Sequence, residues 1–228
     1  MTNFVLIHGA FQGGWIWKPV AERLRAAGHA VFAPSLDGCG ERKDQVRPGI
    51  TTESHGAEIA GLLFYEDLHD VVLVGTSTGG MVLCSAAEQA RDRVGRIVLA
   101  DALALLDGEA LPQIVKRPTA VNTATTSGPP HADAEGRMFA SLPPEQKAWA
   151  LERYTQHPIA PMVEPVKLAR FWQQDWKATV IRCTGSPNPP EAHQRRAAEK
   201  LKAKWHELDT GHYPMLSAAD ELTRIMVG

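Results

Sequence analysis

The sequence predicts an α/β fold in which helices cover both faces of a mostly parallel, doubly wound sheet. Short apolar runs rich in β-branched residues, typical of strands buried on both faces, alternate with stretches of helical spacing. Such an order favours parallel strands, because each helix returns the chain to the same edge of the sheet. The chain has 228 residues and is 44% hydrophobic, enough to bury the core of one domain.

Six runs are predicted as strands and five stretches as helices. The predicted strands are 4–8, 29–34, 71–75, 96–101, 178–183 and 205–209. The predicted helices are 17–27, 52–65, 81–90, 191–203 and 218–226. We therefore expect a core sheet of six strands in a single domain that spans residues 1–228.

The alternation stops between the strand that ends at Asp101 and residue 177. Short helical pieces such as residues 145–154 fall there among many prolines. The segment holds more apolar side chains than a solvated tether would. They include Met138, Phe139, Trp149, Leu151, Tyr154, Phe171 and Trp172. We predict a small helical cap, inserted at about residues 103–175.

Charge and cysteine content narrow the class of partner. A formal net charge of −2, from 24 basic and 26 acidic side chains spread along the chain, produces no field that would attract nucleic acid or anionic lipid. We expect a small-molecule substrate, no nucleic acid, no membrane and no cofactor, and a homodimer stays open. Three widely spaced cysteines without a metal-binding pattern predict reduced thiols and no metal. With no signal-peptide pattern at the N-terminus, this predicts a cytoplasmic protein.

The strongest local motif is Gly75-Thr76-Ser77-Thr78-Gly79, which ends a predicted strand and starts a predicted helix. A G-x-S-x-G sequence in this context is a nucleophile elbow, in which the serine backbone is strained and the glycines allow neighbouring backbone to approach. The helix start adds N–H groups and a dipole that favour an oxyanion. Ser77 is therefore the predicted nucleophile, and the alternative is a serine that only caps the helix.

The loop after the first strand, His8-Gly9-Ala10-Phe11, is the second candidate part of the site. In sites built on such an elbow, this loop provides one oxyanion donor and the residue after the nucleophile provides the other. The predicted donors are the backbone N–H groups of Ala10 and Thr78. His8 is predicted to tie the loop down by hydrogen bonds rather than to react.

His212 is the predicted general base. It is the one histidine among nine that follows the last predicted strand in a tight turn. A histidine in that turn can reach over the sheet edge to the elbow, and the order serine, acid, histidine is the one expected for this arrangement.

Three segments together resemble the α/β-hydrolase superfamily, within it the branch of small esterases that includes methylesterases and hydroxynitrile lyases. They are HGAFQGGWIWKPVAERLRAAGHAVFAPSLDGCGER, GTSTGGMV and LDTGHYPMLS. The resemblance covers the chain outside the cap and implies a reduced, six-stranded core. It also implies the same roles for Ser77, His212, Ala10 and Thr78. Lyases of this branch have a lysine after the histidine, so Tyr213 favours ester hydrolysis over cyanohydrin cleavage.

The acid of the triad departs from the family pattern. The family usually has it after the penultimate strand, where this chain has Ser-Pro-Asn-Pro at residues 186–189. The end of the strand after the elbow helix is used by other members, and Asp101 at that position is the predicted acid. A purely structural role for Asp101 stays open. The other candidates left open are Asn188, Ser186, Asp107 and Glu109.

A serine, a histidine and an acid predict two-step acyl transfer through an acyl-enzyme. Phe11, Met138 and Trp149 are predicted to line an apolar pocket for a small alkyl or aryl ester, unless they only hold the cap to the core. Phe139 and Trp172 belong to the same set. Two other functions stay open: a lyase or C–C bond hydrolase with the same serine and histidine, and a ligand-binding fold without turnover.

Overall fold

The computed structural model describes residues 1–116 and 120–228. Residues 117–119, which include Pro118 of the predicted cap, lie outside the described residues. The strands are β1 (Asn3–Ile7), β2 (Ala30–Phe32), β3 (Val71–Ser77), β4 (Val94–Ala102), β5 (Val121–Asn122), β6 (Thr126–Gly128), β7 (His157–Pro158), β8 (Ala178–Cys183) and β9 (Lys204–Leu208).

Helices fall between most of these strands. The α-helices are α1 (Lys18–Ala26), α2 (Thr52–Tyr65), α3 (Gly79–Gln89), α4 (Leu111–Ile114), α5 (His131–Arg137), α6 (Pro144–Leu151), α7 (Ala160–Val163), α8 (Glu191–Leu201), α9 (Pro214–Ser217) and α10 (Ala219–Val227). Short 3-10 helices cover Gly14–Trp17, Gly40–Gln45, Arg91–Arg93 and Phe171–Gln173.

Six strands form the main sheet, in the order β2-β1-β3-β4-β8-β9, and every pair is parallel. The sheet is buried on both faces, as alternate residues of β1 show. Val5 and Ile7 belong to one apolar cluster and Phe4 and Leu6 to another. The predicted α/β fold with a six-stranded parallel sheet is confirmed, and the predicted core elements differ from the observed ones by no more than about two residues at either end.

The strand order sets the position of the candidate site. All carboxyl ends of parallel strands lie at one edge of the sheet, and ligands of such folds bind there. β1 and β3 pair through Ile7 and Gly75, and β3 pairs with β4. The loop after β1, the elbow after β3 and the end of β4 are therefore neighbours.

The segment between β4 and β8, residues 103–177, is here called the cap segment. It holds α4 to α7 and a three-stranded antiparallel sheet in the order β5-β6-β7. The sequence predicts only helical pieces there, because strands of two or three residues are too short to show an alternating pattern. The division into one domain with a cap at about residues 103–175 stays a prediction. In the described part of the chain no helix has the length and apolar character needed to cross a membrane.

Candidate active site

The elbow at the end of β3 holds Ser77 in an uncommon backbone conformation. Its φ of 51° lies in the left-handed region, which a residue with a Cβ adopts only at an energetic cost. A Cβ on Gly79 would lie 2.5 Å from the carbonyl oxygen of His8, and a Cβ on Gly75 would lie 2.6 Å from the oxygen of Gly79. Both positions therefore need glycine for the close approach of backbone, as the motif predicts.

β4 has an irregularity directly opposite the elbow. Thr76 pairs with Ala100 and Ser77 with Ala102, so Asp101 is an extra residue in the register. Asp101 also has a positive φ, 46°. Bulges of this kind change the direction of a side chain and are frequent beside active sites. The bulge therefore gives Asp101 an orientation that a regular strand would not.

Asp101 and His212 form a close pair. The Nδ1 atom of His212 lies 2.6 Å from Oδ2 of Asp101, whose side chain is fully buried. The other oxygen, Oδ1, accepts hydrogen bonds from Nε2 of Gln194 at 2.8 Å and from the backbone N–H of Cys183 at 3.4 Å. Donors thus surround the buried carboxylate, as a buried charge requires. In a neutral imidazole, a proton on Nδ1 leaves Nε2 as the acceptor, the form that a general base needs.

The position after β8 that the family pattern reserves for the acid is occupied differently. Asn188 is exposed, and its backbone carbonyl accepts a hydrogen bond from Oγ of Ser186 at 2.7 Å. Ser186 Oγ also lies 3.4 Å from Nδ1 of His212, a much longer contact than the one with Asp101.

Asp107 and Glu109 have partners of their own. Asp107 Oδ1 accepts from the backbone N–H of Leu168 at 2.7 Å. Glu109 forms a two-bond ion pair with Arg196 at 2.6 and 2.7 Å, which holds the pKa of the glutamate below its usual range. Of the acidic candidates left open by the sequence, the structure brings Asp101 to the histidine.

The loop after β1 lies beside Ser77. Ala10 and Thr78, whose N–H groups are the predicted oxyanion donors, line one cavity together with Ser77 and His212. Gln12 also lines this cavity, and its Oε1 accepts a hydrogen bond from the N–H of Gly9 at 3.3 Å. Sequence reasoning missed Gln12, because no motif distinguishes it from an exposed loop glutamine.

His8 connects two loops at the base of the site. Its Nε2 accepts from the backbone N–H of Leu36 at 3.0 Å, so Nδ1 carries the proton and donates to the carbonyl of Gly9 at 2.7 Å. Burial lowers the pKa of His8 to about 4, so the ring is neutral at physiological pH. These bonds give it the loop-holding geometry expected of a histidine at a strand end.

The loop that carries His212 is attached to the end of β8. The N–H of Gly185 donates to the carbonyl of Thr210 at 3.0 Å, and Thr184 Oγ1 donates to Asp209 at 3.2 Å. His212 therefore belongs to the β8 side of the sheet and reaches Asp101 on the next strand.

The cavity has a volume of about 510 Å³, and the cap segment forms much of its wall. Its apolar lining includes Leu103, Leu111, Val115, Met138, Phe139 and Met162. Phe11 also lines it and stacks on Tyr154 of the cap segment, with ring centroids 5.7 Å apart. Among the described lining residues, Lys116 is the one lysine or arginine, and it is exposed.

Trp149 is placed differently from its prediction as a pocket residue. Its ring packs edge-on against Trp15, with centroids 5.2 Å apart, and Arg153 covers it. It is not among the residues that line the cavity. Trp172 is also absent from the lining and donates its Nε1–H to the carbonyl of Leu105 at 2.9 Å. Apolar character alone does not distinguish a cavity wall from packing between segments, so the sequence does not separate Trp149 from the residues that line the cavity.

Comparison with known sequences agrees with this geometry. The family model described as "Alpha/beta hydrolase family" matches residues 4–225. A carbendazim hydrolyzing esterase of Nocardioides sp. (strain SG-4G) is 40% identical over 111 residues, which cover 49% of this chain and 46% of that protein. Methylesterase 3 of Arabidopsis thaliana is 25% identical over 99% of this chain and 94% of its own length. The matches to the first three curated relatives span between 32% and 46% of the relatives' lengths.

Solved structures share the fold over the whole chain. An extracellular α/β-hydrolase from a Paenibacillus species superposes with a TM-score of 0.84 at 22% identity and covers 100% of this chain and 98% of that one. A pyrethroid hydrolase from Sphingobium faniae JZ-2 has a TM-score of 0.78 at 19% identity, with 99% and 96% of the two chains covered. At these identities the likeness shows the fold alone.

Proposed function

Because the chain belongs to the α/β-hydrolase family, we propose that it is a serine-dependent carboxylic ester hydrolase that acts on a small apolar or aryl ester. One observation carries the proposal above all others. The 2.6 Å contact between His212 and the buried Asp101 lies beside the strained elbow serine, and Ser77 and His212 line the same cavity. A nucleophile, a base and an orienting acid are the groups that acyl transfer requires.

In the first step Ser77 Oγ attacks the ester carbonyl while Nε2 of His212 takes its proton. Asp101 holds the proton of Nδ1 and stabilises the imidazolium that forms. The N–H groups of Ala10 and Thr78 donate to the carbonyl oxygen as it becomes negative, and one such donor is worth about 10²–10³ in kcat.

The tetrahedral intermediate then collapses: its bond to the alcohol oxygen breaks, His212 gives its proton to the leaving alcohol, and the acyl group stays on Ser77. Water then enters, gives a proton to His212 and attacks the acyl carbonyl. The acid product leaves when His212 returns the proton to Ser77 Oγ. These steps need no cofactor.

The wall of the cavity supports the substrate class. Its apolar lining suits alkyl or aryl groups, since burying such surface is worth about 25 cal/mol per Å². Relatives named as a methylesterase and as a carbendazim hydrolyzing esterase agree with ester chemistry. Tyr213 follows the histidine and packs against Phe139 at a centroid distance of 4.4 Å, so that position offers no cation for a cyanide leaving group.

Replacing the nucleophile tests the proposal. Ser77→Ala is expected to lower kcat on p-nitrophenyl acetate by about a millionfold, to the level of residual catalysis, and to abolish labelling by a fluorophosphonate probe. Thermal unfolding of the variant provides the folding control. Unchanged turnover in Ser77→Ala would overturn the proposal, and so would cleavage of a cyanohydrin by a wild-type protein that is inert to every ester.

The substrate pocket needs a separate test. Met138→Ala removes apolar surface from the cavity and is expected to raise KM for p-nitrophenyl butyrate about threefold to tenfold, as loss of one or two buried methylene contacts would. Trp149→Phe is the matched control, because its ring packs on Trp15 outside the cavity, and its KM should stay within about twofold. The reverse pattern would mean that the ester binds elsewhere.

A further inference from the structure

The side chain of Gln194 lies against the acid of the candidate triad. Gln194 belongs to the start of α8 and is 1% exposed. Its Nε2 donates to Asp101 Oδ1 at 2.8 Å and to the carbonyl oxygen of Pro189 at 3.0 Å. One buried amide therefore connects the end of β4 with the turn after β8.

The orientation of this amide follows from its surroundings. Both neighbours are oxygens that can only accept, a carboxylate and a backbone carbonyl. With the amide reversed, Oε1 would face two acceptors at hydrogen-bond distance, which is unfavourable. Nε2 therefore faces Asp101 and uses both of its N–H groups.

The bond to Oδ1 determines how the carboxylate of Asp101 is turned. Oδ2 faces Nδ1 of His212, and a rotation of the carboxylate would break that contact. The second donor to Oδ1, the N–H of Cys183, is 3.4 Å away and therefore weak. Gln194 makes the short bond, and bonds to an ionised group are the stronger class.

We infer that Gln194 is a positioning residue for the reaction proposed above, on which the inference rests, and that it fixes the carboxylate of Asp101 toward His212. It acts through Asp101 and does not touch the ester. The turn at residues 186–190 contains no carboxylate, so in this chain the acid has to be held on β4, where Gln194 contacts it.

The decisive experiment is a double-mutant cycle. Gln194→Met keeps the length of the side chain and removes the donor. It is expected to lower kcat on p-nitrophenyl acetate about tenfold, with KM unchanged, the low end for a hydrogen bond to a charged group. In an Asp101→Asn background the same change should leave kcat unchanged or raise it. There Gln194 holds the amide oxygen of the new side chain away from His212, and its removal frees that oxygen to turn.

A second glutamine shows whether loss of a helical amide by itself lowers kcat. Gln89 is also a helical glutamine whose Nε2 bonds two oxygens, at Glu53 and Ser85, but it is exposed and lies away from the cavity. Gln89→Met should leave kcat within about twofold. If Gln194→Met lowers kcat by the same factor in the wild-type and the Asp101→Asn backgrounds, the role of Gln194 is structural and the inference is wrong.

A spectroscopic measurement covers the case in which Gln194→Met does not fold. In protein with the native Gln194, the NMR signals of the Gln194 side-chain amide protons should be displaced from the usual chemical shifts, and these protons should exchange slowly with solvent. Asp101→Asn should change their chemical shifts. Chemical shifts that stay the same in Asp101→Asn would contradict the inference. These NMR signals do not depend on turnover. An inactive wild type or an active Ser77→Ala variant would contradict the proposed function, and the measurement on Gln194 would remain interpretable in either case.

Discussion

The ends of β4 and β8 are neighbours in the sheet, and they hold the side chains near His212 in different ways. β4 ends in a bulge at Asp101, which is fully buried and accepts bonds from three donors. β8 ends in a turn where Asn188 is exposed and Ser186 bonds the turn itself. The first is built to keep a charge out of water, and the second is not.

This difference shows what the histidine needs. His212 is attached to the β8 side of the sheet, yet its Nδ1 contacts a carboxylate from β4. A triad is defined by the position of a carboxylate oxygen at Nδ1, and either strand end can supply it. An acid on β4 instead of β8 therefore allows the same acyl-transfer chemistry, provided that hydrogen-bond donors at the new position stabilise the buried carboxylate.

The largest expected effect comes from the acid on β4. Asp101→Asn should lower kcat on p-nitrophenyl acetate by about 10⁴, because the amide favours the wrong tautomer of His212. Fluorophosphonate labelling of Ser77 should slow in parallel, and thermal unfolding should show a folded protein. A loss of less than about fivefold would show that Asp101 is not part of the triad. The turn after β8 would then be the region that orients His212.

The support behind β4 depends on pH. His193 of α8 accepts a hydrogen bond from the N–H of Ala104, just past β4, at 3.1 Å. Burial, together with the charge of Arg196, lowers the pKa of His193 from 6.5 to about 4. As the pH falls, His193 is therefore protonated in the unfolded chain before it is protonated in the folded protein. The stability that the neutral ring provides is present above about pH 6.5 and is lost as the pH falls toward 4.

Urea unfolding can measure this contribution. Between pH 6.5 and 4.5 the free energy of unfolding should fall more steeply for the wild type than for His193→Leu, with a difference of at most about 3 kcal/mol. Because His8 behaves similarly and is present in both proteins, the variant should retain part of the slope. Identical slopes would mean that His193 keeps its ordinary protonation in the folded state.

The smallest effects are expected at the end of β8. Ser186→Ala should lower kcat less than about fivefold, because a 3.4 Å contact with Nδ1 is a weak hydrogen bond. Asn188→Ala, at an exposed position, should change it less than about twofold. A loss of a hundredfold in either variant would show that the turn after β8 orients the histidine.

The fold could be predicted because its elements depend on local signals. The observed α2 begins and ends at the predicted residues, and Thr51 and Ser54 form a capping box at its start. Most core strands come from short apolar runs rich in β-branched residues, a pattern that indicates strands buried on both faces. The sequence does not predict the strands of the cap segment, because each consists of two or three residues, too few to show an alternating pattern.

The site was predictable to the extent that its residues lie in motifs. Ser77 and His212 follow from an elbow and a turn that can be read along the chain, and both line the cavity. For Asp101 the sequence offers only the resemblance to family members that place their acid at the end of this strand, because the bulge that directs the side chain appears only in the pairing of β3 with β4. Gln194 is 93 residues from Asp101 in sequence, and no local pattern predicts that contact.

The most direct test of the central claim, that Asp101 is the partner of His212, is a proton NMR measurement of the Nδ1–H of His212. A proton shared with a carboxylate at 2.6 Å resonates far downfield. We predict this signal in the wild type and in Asn188→Ala, and its loss in Asp101→Asn. A downfield signal that survives Asp101→Asn and disappears in Asn188→Ala would contradict the account.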